Sequence, residues 1–409
     1  MENWKRKVSI FITSQMISLF GSALVQYAIT WYITLETKSG MYTMLAVICG
    51  FLPTFLLSPL AGVWADRYSR KHLIMISDGV IALTTLVVAI VFFMGYREIW
   101  VLLVALAIRG LGSAIQSPAV SAILPDITPQ NELERVNGLL QSAQSMTALI
   151  CPVISGALLS VATIESIFFI DVITAIIAIL FMAKFLKVPA TIIKEHTEGA
   201  WKEFKIGFMY CYNIKYLREL LLCCMLLWII VGPLMYLPPL HVVRLFGDQV
   251  WYLTAIEVAS GIGMLIGGIG ISILGGFKNR VHTMSFSLVL MSGAVIILGF
   301  VNILFAYLAC IVAICISVAV FNTASVTLIQ VVADKEYIGR VFGIITMFSS
   351  SLMPLGMLVF GPLADTLNIG ILFIFCGIVI FLAAIGLLLS KSLKGVGSKQ
   401  VEEIIVNEA

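Results

Sequence analysis

Apolar runs of about 20 residues recur along nearly the whole chain, each long enough to cross the ~30 Å hydrocarbon core of a bilayer as a helix. The runs are continuous rather than alternating. A closed β-barrel needs short segments of two-residue period, so that architecture is excluded. Of the 409 residues, 60% are hydrophobic and 11% are charged. Soluble domains carry about 25% charged residues, so a soluble fold of this size is excluded too. The expected class is an all-α membrane protein.

Twelve spans fit the pattern, at approximately 8–34, 41–65, 72–95, 99–124, 133–160, 166–188, 218–243, 251–275, 282–302, 304–331, 337–362 and 369–390. Their orientation follows from the basic residues. Of the 25 Lys and Arg, Lys38, Arg97 and Arg244 fall on one side, Arg109 falls inside span four, and the other 21 fall on the opposite side. Basic loops stay in the cytoplasm, so both termini are expected there. Lys5, Arg6 and Lys7 precede the first run, which is too long for a signal-peptide core and has no clear small-residue cleavage site. That run is expected to remain as helix one.

The longest polar segment, Lys184 to Arg218, divides the spans six and six. The expected organisation is a six-helix bundle over 1–188, a cytoplasmic linker over 189–217, a second six-helix bundle over 218–390 and a cytoplasmic tail over 391–409. In the linker, Trp201, Phe204 and Phe208 share one helical face, with Lys202, Glu203 and Lys205 around them. This pattern fits a helix lying in the headgroup region, and equally an ordinary linker helix. The halves carry matching landmarks. Arg135-Val136-x-Gly138 opens span five and Arg340-Val341-x-Gly343 opens span eleven, 205 residues later. Gly62…Arg67 after span two has a degraded echo in Gly275-Gly-Phe-Lys278-Asn-Arg280 after span eight. Such landmarks point to two parallel repeats related by an axis along the membrane normal.

Spans two and three are joined by Gly62-Val-Trp-Ala-Asp66-Arg67-Tyr-Ser-Arg70-Lys71. A basic turn this short between two spans makes a helical hairpin with a cytoplasmic tip. The pattern G-x-x-x-D-R-x-x-R-K resembles the loop between helices two and three of major facilitator transporters, with Ser69 where that family usually has glycine. The resemblance implies the major facilitator fold, twelve transmembrane helices in two six-helix repeats, and a cytoplasmic gate. In that gate Asp66 would face the N-terminal end of span eleven, near Gly339 to Phe342, where free N–H groups favour negative charge. Arg70 would pair with Asp126 at the inner end of span four, and Asp78, close to the loop, would belong to the same network.

Charges inside a bilayer are costly and usually have a task. Glu257 in span eight is the first candidate for a proton or cationic-substrate site, against a structural hydrogen-bonding role. Asp171 in span six is the second. Arg109, near the middle of span four, is expected to pair with one of the buried acids. On span five, Thr147-x-x-x-Cys151-Pro152-x-x-Ser155-Gly156 resembles the antiporter motif G-x-x-x-G-P-x-x-G-G, with only Pro152 and Gly156 identical but every motif position small. Small residues let helices approach and proline bends them, so tight packing is the alternative. In the family, spans one, four, seven and ten line the central cavity. On this chain they offer Gln15, Gln26, Tyr27, Trp31, Gln116, Trp228, Met235, Tyr236 and Asn322. Aromatics with scattered amides suit a bulky amphipathic molecule better than a sugar or phosphate.

Other patterns point nowhere. Gly261-x-Gly263-x-x-x-Gly267-Gly268 lacks a preceding strand and reads as small-residue helix packing rather than a dinucleotide loop. No G-x-x-x-x-G-K-[ST] occurs, so the chain carries no P-loop for ATP. His72, His196, His241 and His282 lack metal-ligand spacing, and the eight cysteines form no C-x-x-C pair. Neither an enzyme, a metal site, a cofactor nor a nucleic-acid partner is expected.

Across the whole chain the nearest resemblance is to the macrolide-efflux (Mef-type) branch of the major facilitator superfamily. It rests on Gln15-x-x-Ser18…Ser22-Ala-x-x-Gln26, Gly50-Phe-Leu-Pro53, Ile170-Asp171-Val172, Glu257 with Ser260-Gly261 and Met264-Leu-Ile-Gly-Gly, and Gly339-Arg340-Val341-Phe342. The branch implies proton-driven antiport of macrolides or similar hydrophobic drugs out of the cell, hence antibiotic resistance, from a bacterial inner membrane. The implied partners are a hydrophobic small molecule, protons and the lipid bilayer. A separate ATPase partner stays open, because some drug exporters work beside one. An exporter or flippase of an endogenous lipid or metabolite, and a non-transporting scaffold or sensor, are the alternatives.

Overall fold

The computed structural model of the chain describes residues 3–186, 208–277, 279–334, 337–393 and 395. Among them no strand occurs, and twelve helical segments are long and apolar enough to cross a membrane. The chain is a multi-pass membrane protein. Its helices are α1 (Asn3–Thr37), α2 (Gly40–Arg67), α3 (Arg70–Phe93), α4 (Ile99–Ile127), α5 (Leu133–Val161), α6 (Ile164–Phe185), α7 (Lys215–Tyr236), α8 (Pro238–Phe246), α9 (Val250–Leu274), α10 (Arg280–Leu298), α11 (Leu304–Val332), α12 (Ile338–Thr366) and α13 (Ile369–Leu389). A 3₁₀ turn, Gln130–Glu132, joins α4 to α5.

Local chemistry explains where the helices differ from the apolar runs. Several extend about a turn beyond their run, since no water in the hydrocarbon replaces a missing backbone hydrogen bond. Span three, expected to reach 95, stops at Phe93, because Gly95 takes φ +90° and donates its N–H to Phe92 O. Span seven, expected unbroken over 218–243, becomes α7 and α8. Pro238 and Pro239 have no N–H to donate, so the ladder is interrupted at Leu237. The amphipathic stretch around Trp201 and Phe204 lies outside the described residues.

The chain divides into two compact units. Unit 1 comprises Met1–Lys38, Leu45–Glu195 and Asp248–Thr254; unit 2 comprises Ser39–Met44, His196–Gly247 and Ala255–Ala409. In unit 1, α1 packs on α5 and α6, and α3 packs on α4 and α6. Two apolar clusters hold this bundle. One gathers Leu24, Ile29, Phe92, Leu102, Leu106 and Phe168, with the Phe92 and Phe168 rings edge to face at 5.8 Å. The other gathers Phe11, Ile74, Ile123, Leu124, Val136 and Met182. Between these clusters lie buried polar side chains of all four helices, Ser14, Gln15 and Ser18 of α1, Ser77, Asp78 and Thr85 of α3, Arg109 of α4 and Asp171 of α6, while Thr34 and Glu165 are buried at the level of the first cluster or beyond it.

Small residues join helices in unit 2. Glycines bring backbones together where α9 meets α11: a Cβ on Gly263 would lie 2.6 Å from Val312 O, and one on Gly267 would lie 2.6 Å from Ile316 O. This is small-residue packing, which replaces the hydrophobic drive that lipid removes. Side chains such as Leu83, Leu180 and Phe305 point outward from their helices, 62%, 63% and 80% exposed. On a bilayer protein that surface meets acyl chains.

Gly263→Val is expected to force α9 and α11 apart and to destabilise the protein by about 1–3 kcal/mol, the usual penalty for overpacking. Gly268→Val, where an added Cβ meets nothing within 4 Å, is the matched control and is expected to leave stability unchanged. Thermal unfolding of the two purified variants in detergent compares them directly.

Candidate transport site

The α2–α3 turn is built around its basic residues. Arg70 opens α3 and spends its guanidinium on three acceptors: Ala65 O at 3.1 Å, Ala122 O at 2.9 Å and Asp126 Oδ2 at 2.7 Å. Ala65 O is one of the last carbonyls of α2, which a cation satisfies well, and Ala122 O lies in the closing turns of α4. Lys71 does the same for α6, donating to Ala183 O at 3.0 Å and Leu186 O at 2.7 Å. Arg67 is exposed. The side chain of Asp66 lies outside what the structure describes. Asp78, grouped with this loop by its position in the sequence, shares none of these bonds and sits two turns further along α3.

Between the two apolar clusters of unit 1 lies a polar belt in two layers. The first centres on Arg109 of α4 and Asp171 of α6, paired at 2.7 Å with both side chains almost fully buried. Thr85 of α3 donates to Asp171 Oδ2 at 2.9 Å and accepts from Arg109. From α1, Ser22 donates to Asp171 Oδ1 at 3.2 Å, and its carbonyl accepts from Arg109 Nη2 at 3.0 Å. Four helices therefore meet at one ion pair.

The second layer centres on Asp78 of α3. Its Oδ1 accepts from Ser18 of α1 at 2.7 Å and from Gln116 Nε2 of α4 at 2.6 Å. Asp78 and Thr85 are seven residues apart, as are Arg109 and Gln116. Seven residues are two helical turns, roughly 10 Å at 1.5 Å per residue, so the antiparallel α3 and α4 each present one side chain to each layer. Beside this layer a cavity of about 650 Å³ opens between α1, α4 and α5; Gln15, Gln116, Ser113, Asn137, Gln141 and Gln144 supply most of its polar wall.

On α5 the small residues face α1. Cys151 Sγ lies 3.7 Å from Phe20 O, and Ser155 Oγ donates to Leu24 O at 3.2 Å, a ladder one turn in step on both helices. Thr147 turns back to its own helix, bonding Ala143 O at 3.0 Å. Pro152 lies inside α5, and Gly156 leaves room for Thr254, whose Oγ1 a Cβ there would overlap, with Trp31 Cζ3 next at 3.3 Å. Trp31, expected in a cavity wall, is instead 1% exposed and packs against Tyr27 with ring centroids 5.5 Å apart. Gln26 is exposed and Tyr27 partly buried, and neither lines the amide cavity.

In unit 2, Glu257 stands on α9, partly buried, with Tyr236 and Cys315 as the titratable groups in electrostatic reach. It forms no ion pair among the described residues. Met235 and Asn322 are exposed, while Trp228 and Tyr236 are half-buried. A further constellation was not anticipated from the sequence. Asp365, at the end of α12, accepts from Ser39 Oγ at 2.7 Å, Gly40 N at 2.7 Å and Met41 N at 2.9 Å, and pairs with Arg244 at 2.6 Å. A carboxylate on the first free N–H groups of a helix is a favourable pairing with its dipole. The available signal was Gly361-x-x-x-Asp365, which repeats the Gly62-x-x-x-Asp66 spacing. Among the described residues no group of side chains is arranged to hold a metal, and the eight cysteines are free.

Asp171→Leu leaves Arg109 buried without a counter-charge and is expected to cost about 3–5 kcal/mol. The double variant Arg109→Met/Asp171→Leu is expected to recover most of that loss, because an apolar pair of similar volume replaces a buried ion pair at little cost. Thiol-reactive dye unfolding, which reads the exposure of the buried cysteines, measures both.

Comparison with known proteins agrees with this architecture. Residues 11–357 match the family model described as Major Facilitator Superfamily. The chain is 30% identical over 387 residues to Macrolide efflux protein A of Streptococcus pyogenes, covering 94% of this chain and 95% of the relative. It is 28% identical over 314 residues to Macrolide efflux protein A of Enterococcus faecalis, covering 76% and 97%. Among solved structures, a bacterial homologue of the human lysosomal transporter Spinster superposes with a TM-score of 0.71 at 11% identity, covering 98% of both chains. The nucleoside transporter NupG gives a TM-score of 0.71 at 12% identity, covering 94% of this chain and 99% of that one. The twelve spans, the basic α2–α3 turn and a family match over most of the length converge: this chain belongs to the Major Facilitator Superfamily.

Proposed function

We propose that this chain exports macrolides or similar hydrophobic drugs across the cytoplasmic membrane in exchange for protons. The observation that carries the reading is the near full-length, 30% identical relationship to a macrolide efflux protein. Chemical features support it. A cavity walled by amides and hydroxyls without a charged side chain suits an amphipathic molecule with hydroxyl or amine groups. Carboxylates lie within the spans, where charge is retained chiefly for coupling or substrate contact.

In this reading both termini are cytoplasmic, as the basic loops favour. The two six-helix repeats rock to expose the substrate site to each side in turn, as in other transporters built from repeats. Gly62, Asp66, Arg67, Arg70 and Lys71, with Asp126, form the cytoplasmic gate element. Glu257 is the carboxylate of unit 2 that meets the proton or a cationic group of the substrate. Arg109 and Asp171 hold the helices of unit 1 in place, and the small face of α5, Thr147, Cys151, Pro152, Ser155 and Gly156, lets that helix run close to α1. The driving force is sufficient. One charge crossing ~100 mV yields about 2.3 kcal/mol, which sustains a drug gradient of roughly fifty-fold at ~1.4 kcal/mol per factor of ten.

The test is accumulation of a radiolabelled macrolide in pump-deficient bacteria expressing the chain. Low accumulation that rises when a protonophore collapses the proton gradient is expected, and Glu257→Gln is expected to abolish the protonophore-sensitive part. Unchanged accumulation with the protein present in the membrane overturns the macrolide assignment. Export that survives intact in Glu257→Gln removes that residue from the mechanism.

A further inference from the structure

The hairpin of α3 and α4 has two unlike halves. Between the two polar layers the helices touch: a Cβ on Gly112 would lie 2.6 Å from Ile81 Cγ1 and 3.3 Å from Ser77 O. Toward the end away from the α2–α3 turn, a groove of about 480 Å³ runs between them. Its floor is Val88 and Ala105, both buried. Its walls are Leu83 and Val87 of α3 and Val104 and Ile108 of α4, all exposed. Thr84 is the one polar side chain in the lining before the mouth, and its hydroxyl is spent on Val80 O at 2.8 Å. An occupant with hydroxyl or amine groups inside the groove would leave them without partners, which is costly away from water. A hydrocarbon chain meets no such cost.

The groove has the length of a leaflet and a charged mouth. From Thr84 to Val91 and from Ile108 back to Trp100 it covers seven and eight residues, roughly 10–12 Å at 1.5 Å per residue. One leaflet contributes about 15 Å, half of the ~30 Å hydrocarbon core. The inner end adjoins the first polar layer, since Thr84 and Ile108 are the chain neighbours of Thr85 and Arg109. At the mouth stand Tyr96 and Trp100, edge to face with ring centroids 6.2 Å apart. Such aromatic side chains settle at the headgroup level. Between them in the chain come Arg97 and Glu98. Arg97 gives Nη2 to Glu165 at 2.7 Å, yet 55% of its side chain is exposed. Glu98 precedes α4, is exposed, and makes no side-chain capping bond. The mouth therefore offers a cation and an anion side by side.

We propose that the α3–α4 groove binds one phospholipid whose headgroup carries both a phosphate and an ammonium group. One acyl chain lies in the groove, the phosphate meets Arg97, and the ammonium meets Glu98. An anionic headgroup without the ammonium brings its negative charge to Glu98 and Glu165 with nothing to offset it. In the orientation proposed above, the leaflet is the outer one. The bound chain adds apolar contact between α3 and α4 directly beside the Arg109–Asp171 pair, so occupancy stabilises unit 1. The site stands on the geometry of unit 1 and is independent of which molecule the chain transports.

The experiment uses the full-length chain, purified in detergent and stripped of lipid, then offered dioleoyl phosphatidylethanolamine or dioleoyl phosphatidylglycerol. Native mass spectrometry counts the bound lipids, and thermal unfolding reads their effect. The wild type is expected to bind one phosphatidylethanolamine more tightly than phosphatidylglycerol and to unfold at a higher temperature once it is bound. Val104→Trp fills the groove from its wall and is expected to lose both the adduct and the thermal shift. Ile176→Trp, the same kind of change on the exposed face of α6, keeps both. Glu98→Gln is expected to weaken phosphatidylethanolamine about fivefold, the worth of one charge contact at a membrane surface, and to leave phosphatidylglycerol binding undiminished. Wild-type adducts in Val104→Trp overturn the proposal; should that variant not fold, Val87→Trp from the facing wall makes the same test. Equal binding of the two lipids by the wild type overturns it as well. Displacement of bound phosphatidylethanolamine by erythromycin, one for one, assigns the groove to the drug and overturns the lipid site.

Discussion

A charge buried in an apolar bundle must find its opposite, and in unit 1 this requirement organises the packing of four helices. Arg109 and Asp171 pair at 2.7 Å, and Ser22 and Thr85 each add hydrogen bonds to both. The pair contributes little net stability by itself, because desolvation offsets attraction. Its effect is on register. One rotation and one height of α1, α3, α4 and α6 bring Ser22, Thr85, Arg109 and Asp171 into mutual reach, and a helix that slides by one residue breaks those bonds in a medium without water.

The apolar clusters on either side supply the complementary force. Phe92, Phe168 and Leu106 fill one end of the bundle, and Phe11, Ile123 and Met182 fill the other. Polar side chains thus occupy a middle belt where neither cluster reaches. The seven-residue spacing on α3 and α4 places that belt in two layers, one built on an ion pair and one without a cation. Unit 2 meets the same solvent with close backbone approach. Its glycines at 263 and 267 bring α9 against the α11 backbone, as Gly110 brings α4 against Gly50 of α2 in unit 1, so van der Waals contact holds helices together in both units.

Much of this was legible beforehand, and particular residues show where legibility ended. The spans could be read because each must be long and apolar whatever its neighbours are. That Arg109 needs an acid was also readable, but Asp171 and Asp78 were both available, and only packing chose between them. Asp78 was grouped with the α2–α3 turn because it is near that turn in sequence. Two helical turns carry it to Ser18 and Gln116 instead. Trp31 has the character of a cavity residue, yet packing against Tyr27 and beside Gly156 of α5 buries its ring. Asp365 drew no attention, because its partners Ser39, Gly40 and Arg244 are more than a hundred residues away.

The sequence by itself determined that the chain spans a membrane twelve times, which side its basic loops favour, and that it resembles the major facilitator transporters. Those properties are sums over local residues, since hydropathy, length and charge need no knowledge of neighbours. Tertiary structure alone decided which acid meets Arg109, which carboxylate is left without a cation, and which amides gather into one cavity. Each of those depends on the rotation of one helix about its axis relative to another. Close packing fixes that angle across the whole bundle at once, so no single segment encodes it.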